Sequence, residues 1–95
     1  MDAADTASAL HRKVVEDRKK LYTNSKVTVL AIQLFERLPE TPVISMPSVV
    51  KMLKTTKPTA TKAIEILKDC HILEEVGKNR RDRRYGYSGY IEILR

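Results

Sequence analysis

With 95 residues, 42% hydrophobic and 32% charged, the chain can form one small domain with a three-helix core, but not that core and an elaborate active site. Eighteen lysines and arginines against twelve aspartates and glutamates give a net charge of +6, which favours polyanionic partners. One cysteine excludes an intramolecular disulfide and no apolar run reaches the roughly 20 residues that span a membrane, so we expect a cytoplasmic protein without membrane contact.

The first predicted element is a weakly amphipathic helix over residues 6–22. Charged residues, Asp17 among them, cover most of its surface. Its thin apolar stripe consists of Leu10, Val14, Val15, Leu21 and Tyr22. We interpret residues 1–25 as an N-terminal linker and connecting helix, and residues 26–95 as the domain itself. The small polar residues 1–9 are interpreted as frayed chain or a linker remnant, which leaves open that the chain is excised from a longer protein.

A core helix is predicted next, with Ser25 as its N-cap and Pro39 as its end. Apolar residues follow at positions i, i+3, i+4, i+7, i+8 and i+11, namely Val27, Leu30, Ala31, Leu34, Phe35 and Leu38. Val29 and Ile32 lie on a second face, which could receive the first helix. Residues 41–44 form a connector whose β-branched residues could add a short strand.

Two similar helix starts follow in close succession. Ser45 and Thr56 each place a hydroxyl at the N-cap, two residues before a proline in the first turn. The first start opens a short helix to about Lys54, and the second opens a helix from Lys57 to Cys70. Because so few residues separate the two helices, they must cross sharply, as in a helix-turn-helix.

The spacing of the second helix separates a buried stripe from an open face. The buried stripe is predicted to be Ala60, Ala63, Ile64, Leu67 and Cys70. The open face is predicted to carry Thr59, Thr61, Lys62, Glu65 and Lys68.

A β-hairpin is predicted after this helix. Residues 72–76 form its first strand, residues 77–83 its turn and residues 84–88 its second strand, with the register left open. Tyr85 and Tyr87 share one strand face, where we expect them to pack against the core or its edge rather than stack on bases. The tail from Tyr90 is apolar on one side (Tyr90, Ile91 and Leu94) and should close over the core.

This order of elements predicts a mainly α-helical winged helix-turn-helix with a small β-hairpin and an extra N-terminal helix, a fold that we expect to bind double-stranded DNA. The second helix would contact base edges through Lys57, Thr59, Thr61 and Lys62. The hairpin would hold phosphates through Lys78, Arg80, Arg81, Arg83 and Arg84. Glu65 could accept a hydrogen bond from cytosine or repel the DNA backbone. A protein-interaction or dimerisation module stays open, since helix-turn-helix geometry also serves protein contacts and a charge run is often a solvated turn.

Neither a catalytic site nor a metal site is predicted. Cys70, His71 and His11 are the only soft ligands, and an adjacent Cys-His pair cannot supply a closed four-ligand zinc site. The sequence contains no glycine-rich phosphate loop and no serine in a nucleophile-elbow pattern. We therefore predict a non-enzymatic chain without a cofactor.

Four segments of the chain carry a resemblance to a known family: residues 58–64, 70–76, 83–87 and 90–94. Together they resemble the C-terminal winged-helix domain of bacterial Fic-family proteins. The resemblance implies an upstream helical Fic domain that transfers AMP from ATP to target hydroxyls, and a regulatory, DNA-binding or docking role for this chain. The Fic catalytic histidine with its glycine-asparagine-glycine-arginine loop is absent here, so adenylylation is assigned to none of these residues. A free-standing transcription regulator is a third hypothesis.

Three residues depart from the pattern common in such domains. Lys54 stands where the helix-turn-helix turn often has glycine, and Thr55 where it often has an apolar residue. His71 occupies a helix C-terminal position where glycine is common. That position often requires a positive φ, which histidine tolerates better than β-branched residues do.

Overall fold

The computed structural model describes residues 3–77 and 83–94, which form a winged helix-turn-helix. In chain order the elements are α1 (Ala3–Tyr22), α2 (Val29–Arg37), β1 (Val43–Ser45), α3 (Met46–Leu53), α4 (Lys57–Asp69), β2 (Glu74–Val76), β3 (Arg84–Gly86) and α5 (Ser88–Leu94). The strands form one antiparallel sheet in the order β1-β3-β2. Helices α3 and α4 are the helix-turn-helix, and β2 and β3 with the adjoining Gly77 and Arg83 are the described part of the wing. The predicted fold class is confirmed.

The two helix starts of the helix-turn-helix differ in their caps. The Ser45 hydroxyl accepts from the backbone N–H of Ser48 (3.4 Å), and the Ser48 hydroxyl oxygen accepts from the N–H of Ser45 (2.9 Å), which closes a capping box. The Thr56 hydroxyl caps no backbone N–H and lies 2.9 Å from the Thr59 hydroxyl. Both helices begin where predicted, but only Ser45 supplies the predicted side-chain cap.

Positive φ angles end both helices of the motif. Lys54 has a φ of 51° after α3, and His71 a φ of 59° after α4, so the left-handed conformation predicted for His71 is confirmed. The N–H of His71 then donates to the carbonyl of Lys68, and the N–H of Ile72 to that of Leu67. This reversal buries Ile72 before the strand begins, and β2 therefore starts at Glu74, two residues later than predicted.

The core lies between α2, α3, α4 and the sheet, and it includes the fully buried Leu21 of α1. The predicted stripe of α4 is buried throughout, and Ile66 is buried as well. Buried side chains of α2 and its C-cap are Ala31, Leu34, Phe35 and Leu38. The predicted N-cap of α2 is wrong: Thr28, not Ser25, accepts from the N–H of Ala31 at 3.2 Å. Ser25 lies instead in a turn in which the Asn24 side chain accepts from the N–H of Lys26.

Helix α1 differs most from its prediction. It begins at Ala3 rather than at Thr6, and its Tyr22, predicted as apolar stripe, is 54% exposed. Val29, on the face of α2 that could have received α1, is 70% exposed. Helix α1 packs on α5, and it contacts α2 elsewhere through Arg18, whose guanidinium donates to the Glu36 carboxylate at 2.9 and 3.0 Å. The largest difference is Asp17, which was expected on the surface and is fully buried.

The buried Asp17 carboxylate binds the hydroxyl of Tyr87. This hydroxyl donates to Asp17 Oδ2 at 2.6 Å, and the Lys13 ammonium lies 3.2 Å from the same oxygen. Burial and then the hydrogen bond to Asp17 raise the pKa of Tyr87 far above its ordinary value, so the hydroxyl keeps the proton that it donates. The backbone N–H of Tyr87 also donates to the carbonyl of Pro42 at 2.7 Å. Tyr87 thus joins α1 to the segment that precedes β1.

The predicted apolar tail forms a helix, α5, which was not predicted from the sequence. Tyr90 stacks on Tyr87, with ring centroids 5.2 Å apart, and so covers the core as predicted. Leu94 does not, since it is 52% exposed. At Gly89 a Cβ atom would collide with the end of the flexible Lys13 side chain, which would then have to shift.

We predict that Tyr87→Phe lowers the free energy of unfolding by about 2 kcal/mol, because the substitution leaves a buried carboxylate without its nearest donor. Urea denaturation measures the change. Tyr85→Phe is the matched control: the Tyr85 side chain is also buried, but its hydroxyl has no hydrogen bond within the described residues. Equal losses in the two variants would contradict the role assigned to the Asp17–Tyr87 bond.

We predict that His71→Gly leaves thermal stability unchanged or raises the free energy of unfolding by up to about 1 kcal/mol. Glycine relieves the left-handed strain at φ 59° but loses more backbone entropy on folding. His71→Val should destabilise, because a β-branched residue is strained at this φ. A lower melting temperature for His71→Gly would show that the positive φ is not a strained feature of the fold.

Candidate nucleic-acid interface

A groove of about 510 Å³ separates the open face of α4 from β3. It is lined by Ser45, Met46, Pro47, Lys57, Thr61, Ile64, Glu65, Lys68, Arg83, Arg84 and Tyr85. These residues come from the starts of α3 and α4, the outer face of α4 and the second strand of the wing. The groove therefore brings together two of the predicted base contacts, Lys57 and Thr61, and two of the predicted phosphate contacts, Arg83 and Arg84.

Helical periodicity decides which α4 residues line the groove. Lys57, Thr61, Glu65 and Lys68 follow one another at spacings of four, four and three residues, which places them on one face. Thr59 and Lys62, also predicted as base contacts, do not line it. Two residues of helix turn Thr59 about 160° away from Thr61, and Thr59 is partly buried. The predicted contact residues of α4 thus divide between two faces.

Thr61 lines the groove, and its hydroxyl proton is already engaged in a hydrogen bond within α4. Its hydroxyl donates to the carbonyl of Lys57 at 2.8 Å, and its oxygen lies 3.7 Å from the sulfur of Met46. A lone pair of the hydroxyl and the methyl group remain available to a ligand. Thr61 is therefore suited to accept one hydrogen bond or to contact a thymine methyl.

The wing contributes two arginines to the groove. Arg84 is exposed and pairs with Val76 and Ser45 in the register of the sheet. The Arg83 Nε lies 3.6 Å from a Glu75 carboxylate oxygen, and both side chains are exposed. Such a solvated ion pair contributes little free energy, so Arg83 can exchange this partner for a phosphate. The other predicted phosphate contacts, Lys78, Arg80 and Arg81, lie outside the described residues.

Lys68 is a groove residue that the predicted contact set omits. Its ammonium lies 5.6 Å from the centroid of the Tyr85 ring, across the groove from α4. Its spacing of eleven residues from Lys57, about three helical turns, is the sequence signal that could have identified it. With Lys68, the described lining holds four cations and one carboxylate, that of Glu65, so the groove is electropositive.

The two strand tyrosines are part of the interior. Tyr85 is 7% exposed and Tyr87 is fully buried. Tyr87 also meets Phe35 edge to face, with ring centroids 6.0 Å apart. The expectation that they pack rather than stack on bases is confirmed.

Cys70 is a buried packing residue whose sulfur accepts a hydrogen bond from the Asn24 side chain at 3.2 Å. Among residues 3–77 and 83–94, no three His, Cys, Asp or Glu side chains are grouped so that they could hold a metal ion. None of the helices in this part of the chain is long and apolar enough to cross a membrane.

The fold is similar to that of a solved protein, BpsR of Bordetella bronchiseptica, whose DNA binding is regulated by 6-hydroxynicotinic acid. The TM-score is 0.58 at 19% sequence identity, over 98% of this chain and 69% of BpsR. At this identity the likeness establishes the fold alone. No protein-family model matches the sequence, and no curated protein does. Membership of the Fic family therefore has the sequence resemblance as its only support.

Proposed function

We propose that this domain binds double-stranded DNA and acts in transcription regulation without chemistry of its own. The groove between α4 and the wing carries this proposal, because four cations on two separate elements line one opening. A winged helix-turn-helix places one helix in the major groove and the wing beside the neighbouring backbone. The similarity to BpsR, a protein that binds DNA, supports the same role.

The α4 residues divide into base and backbone contacts in this proposal. Lys57, at the exposed start of α4, suits guanine O6 and N7, and Thr61 suits a thymine methyl. Lys68 lies deeper along the helix beside the wing and suits a phosphate. Lys62 is exposed on the neighbouring face and would contact the flanking backbone, while Thr59 would contribute only from the edge of the interface.

Arg83 and Arg84 would hold phosphates from the wing. Both side chains are exposed in the free protein, where their charges remain solvated. When they neutralise phosphates, counterions are released from the DNA, and this release favours binding. Lys78, Arg80 and Arg81 stay predicted phosphate contacts of the same wing. Phosphate contacts of this kind give affinity and orientation but no sequence preference.

We predict steep salt dependence for binding to random-sequence duplex DNA, measured by fluorescence anisotropy. Arg83→Ala/Arg84→Ala should weaken binding and reduce the slope of log affinity against log salt by about 0.9 for each phosphate that the variant no longer neutralises. A further variant that also replaces Arg80 and Arg81 tests whether these two arginines neutralise phosphates as well.

The matched control is Arg12→Ala/Lys19→Ala, which removes the same charge from exposed positions of α1, outside the groove. Its slope should stay near that of the unmodified chain. Equal slopes in the two double variants would assign binding to net charge rather than to the groove. If the unmodified chain does not bind duplex DNA at low salt, the DNA-binding proposal is wrong.

A protein-interaction or dimerisation module is the second candidate function. A smaller cavity of about 320 Å³ between α2 and α3 is lined in part by the apolar residues Ile32, Met52 and Leu53. Val29, one helical turn before Ile32, is 70% exposed. An apolar contact at this face would show little salt dependence, in contrast to phosphate binding.

Two hypotheses concern a longer or complete protein. In the first, the chain is the C-terminal domain of a Fic-family protein, and a helical domain upstream carries AMP transfer. In the second, the chain is a free-standing transcription regulator. The division into a connecting segment (residues 1–25) and a winged-helix domain (residues 26–95) stays a prediction in both.

A further inference from the structure

Glu65 is the one carboxylate among the described residues that line the groove, and it has no partner there. Lys68 is directed at the Tyr85 ring and Arg83 at Glu75. Within the described part of the chain no ion pair or hydrogen bond joins Glu65 to any of the groove's cations. Among the described residues, Glu65 is thus an exposed anion without an ion-pair partner, on the face of α4 that lines the groove.

An unpaired carboxylate at this position works against affinity. In the free protein the exposed Glu65 carboxylate is solvated and does not lower stability. Beside a duplex it would face phosphates and base acceptor atoms, whose negative charge repels it. This cost is removed only where the duplex offers a hydrogen-bond donor. In the major groove the donors are the exocyclic amines of cytosine and adenine. Adenine presents its amine beside the acceptor N7, which repels the second carboxylate oxygen, whereas cytosine presents N4 beside a C–H group.

The place of Glu65 along α4 fits a base contact. Thr61 and Glu65 are one turn apart on the same face, and Lys57 precedes Thr61 by another turn. A rise of 1.5 Å per residue puts Lys57 and Glu65 about 12 Å apart along the helix. Three side chains at these intervals can therefore contact different base pairs, while Lys68 and the wing arginines hold the backbone on the side of the wing.

We propose that Glu65 determines specificity by accepting a hydrogen bond from N4 of a cytosine, and that it lowers the affinity for duplexes without a cytosine at that position. The inference rests on the proposed DNA binding and identifies the base class that this site selects. Guanine and thymine present O6, N7 and O4 acceptors to the same carboxylate and are rejected. Glu65 would thus contribute discrimination between duplexes, and the surrounding cations affinity for all of them.

Selection from a randomised duplex DNA library, followed by competition binding, tests this inference. The unmodified chain should enrich sequences with cytosine at one position of the site, preferred about tenfold or more over other bases. Glu65→Gln should lose the preference at that position alone, because an amide both donates and accepts, and should bind random-sequence duplex more tightly. Its melting temperature should be unchanged, since the side chain is exposed.

Asp69→Asn is the matched control. Asp69 is the last residue of α4, is exposed and does not line the groove, so its substitution removes a carboxylate from the same helix and should keep the cytosine preference. A cytosine preference that persists in Glu65→Gln would overturn the inference. Duplex binding without any sequence preference would overturn it as well and leave DNA binding intact. Absence of duplex binding by the unmodified chain at low salt would overturn both proposals.

Discussion

The hydrogen bond between the buried Asp17 carboxylate and the Tyr87 hydroxyl is the constraint on which the arrangement of α1 and the wing depends. A carboxylate with no exposed surface is costly unless charge and hydrogen bonds compensate it, and here a 2.6 Å bond and the Lys13 ammonium do so. Tyr87 directly follows β3, and its N–H is bonded to Pro42. The position of the strand that carries Arg84 is therefore tied to α1 by a directional contact, not by apolar burial alone.

The groove depends in turn on two tight reversals of the chain. Lys54 and His71 adopt left-handed conformations at the two ends of the segment that contains α4, which lets this helix cross α3 and return into β2 within a few residues. These reversals set α4 against β3, so that Lys68 lies beside the Tyr85 ring. Buried residues and backbone strain fix the walls of the groove, while its charged residues remain solvated and free to meet a ligand. Stability and binding are thus assigned to different side chains of the same elements.

Local patterns predicted the parts of the fold that have their cause in neighbouring residues. The 3.6-residue period identified the cores of α2 and α4, and the Ser45 start with its proline identified α3. The pattern failed for α5, whose seven residues are too few for a distinct period. In the candidate site, the sequence predicted the groove residues Lys57, Thr61, Arg83 and Arg84. It omitted Lys68, which lines the groove, and included Thr59 and Lys62, which do not. The sequence pattern separated a buried face of α4 from an open face, but it did not show which part of the open face meets the wing.

The sequence by itself determined the fold class, the positions of the main helices and the excess of cations in the second half of the chain, because periodicity, capping and charge are local properties. Only the tertiary structure decided that Asp17 is buried, since its partner Tyr87 lies 70 residues away in the chain. It also decided which polar residues of α4 share a groove with Arg83 and Arg84, and that Glu65 is the carboxylate among the described residues that line it. Such neighbours depend on the angle at which a helix meets a strand, and packing sets that angle rather than the sequence of either element.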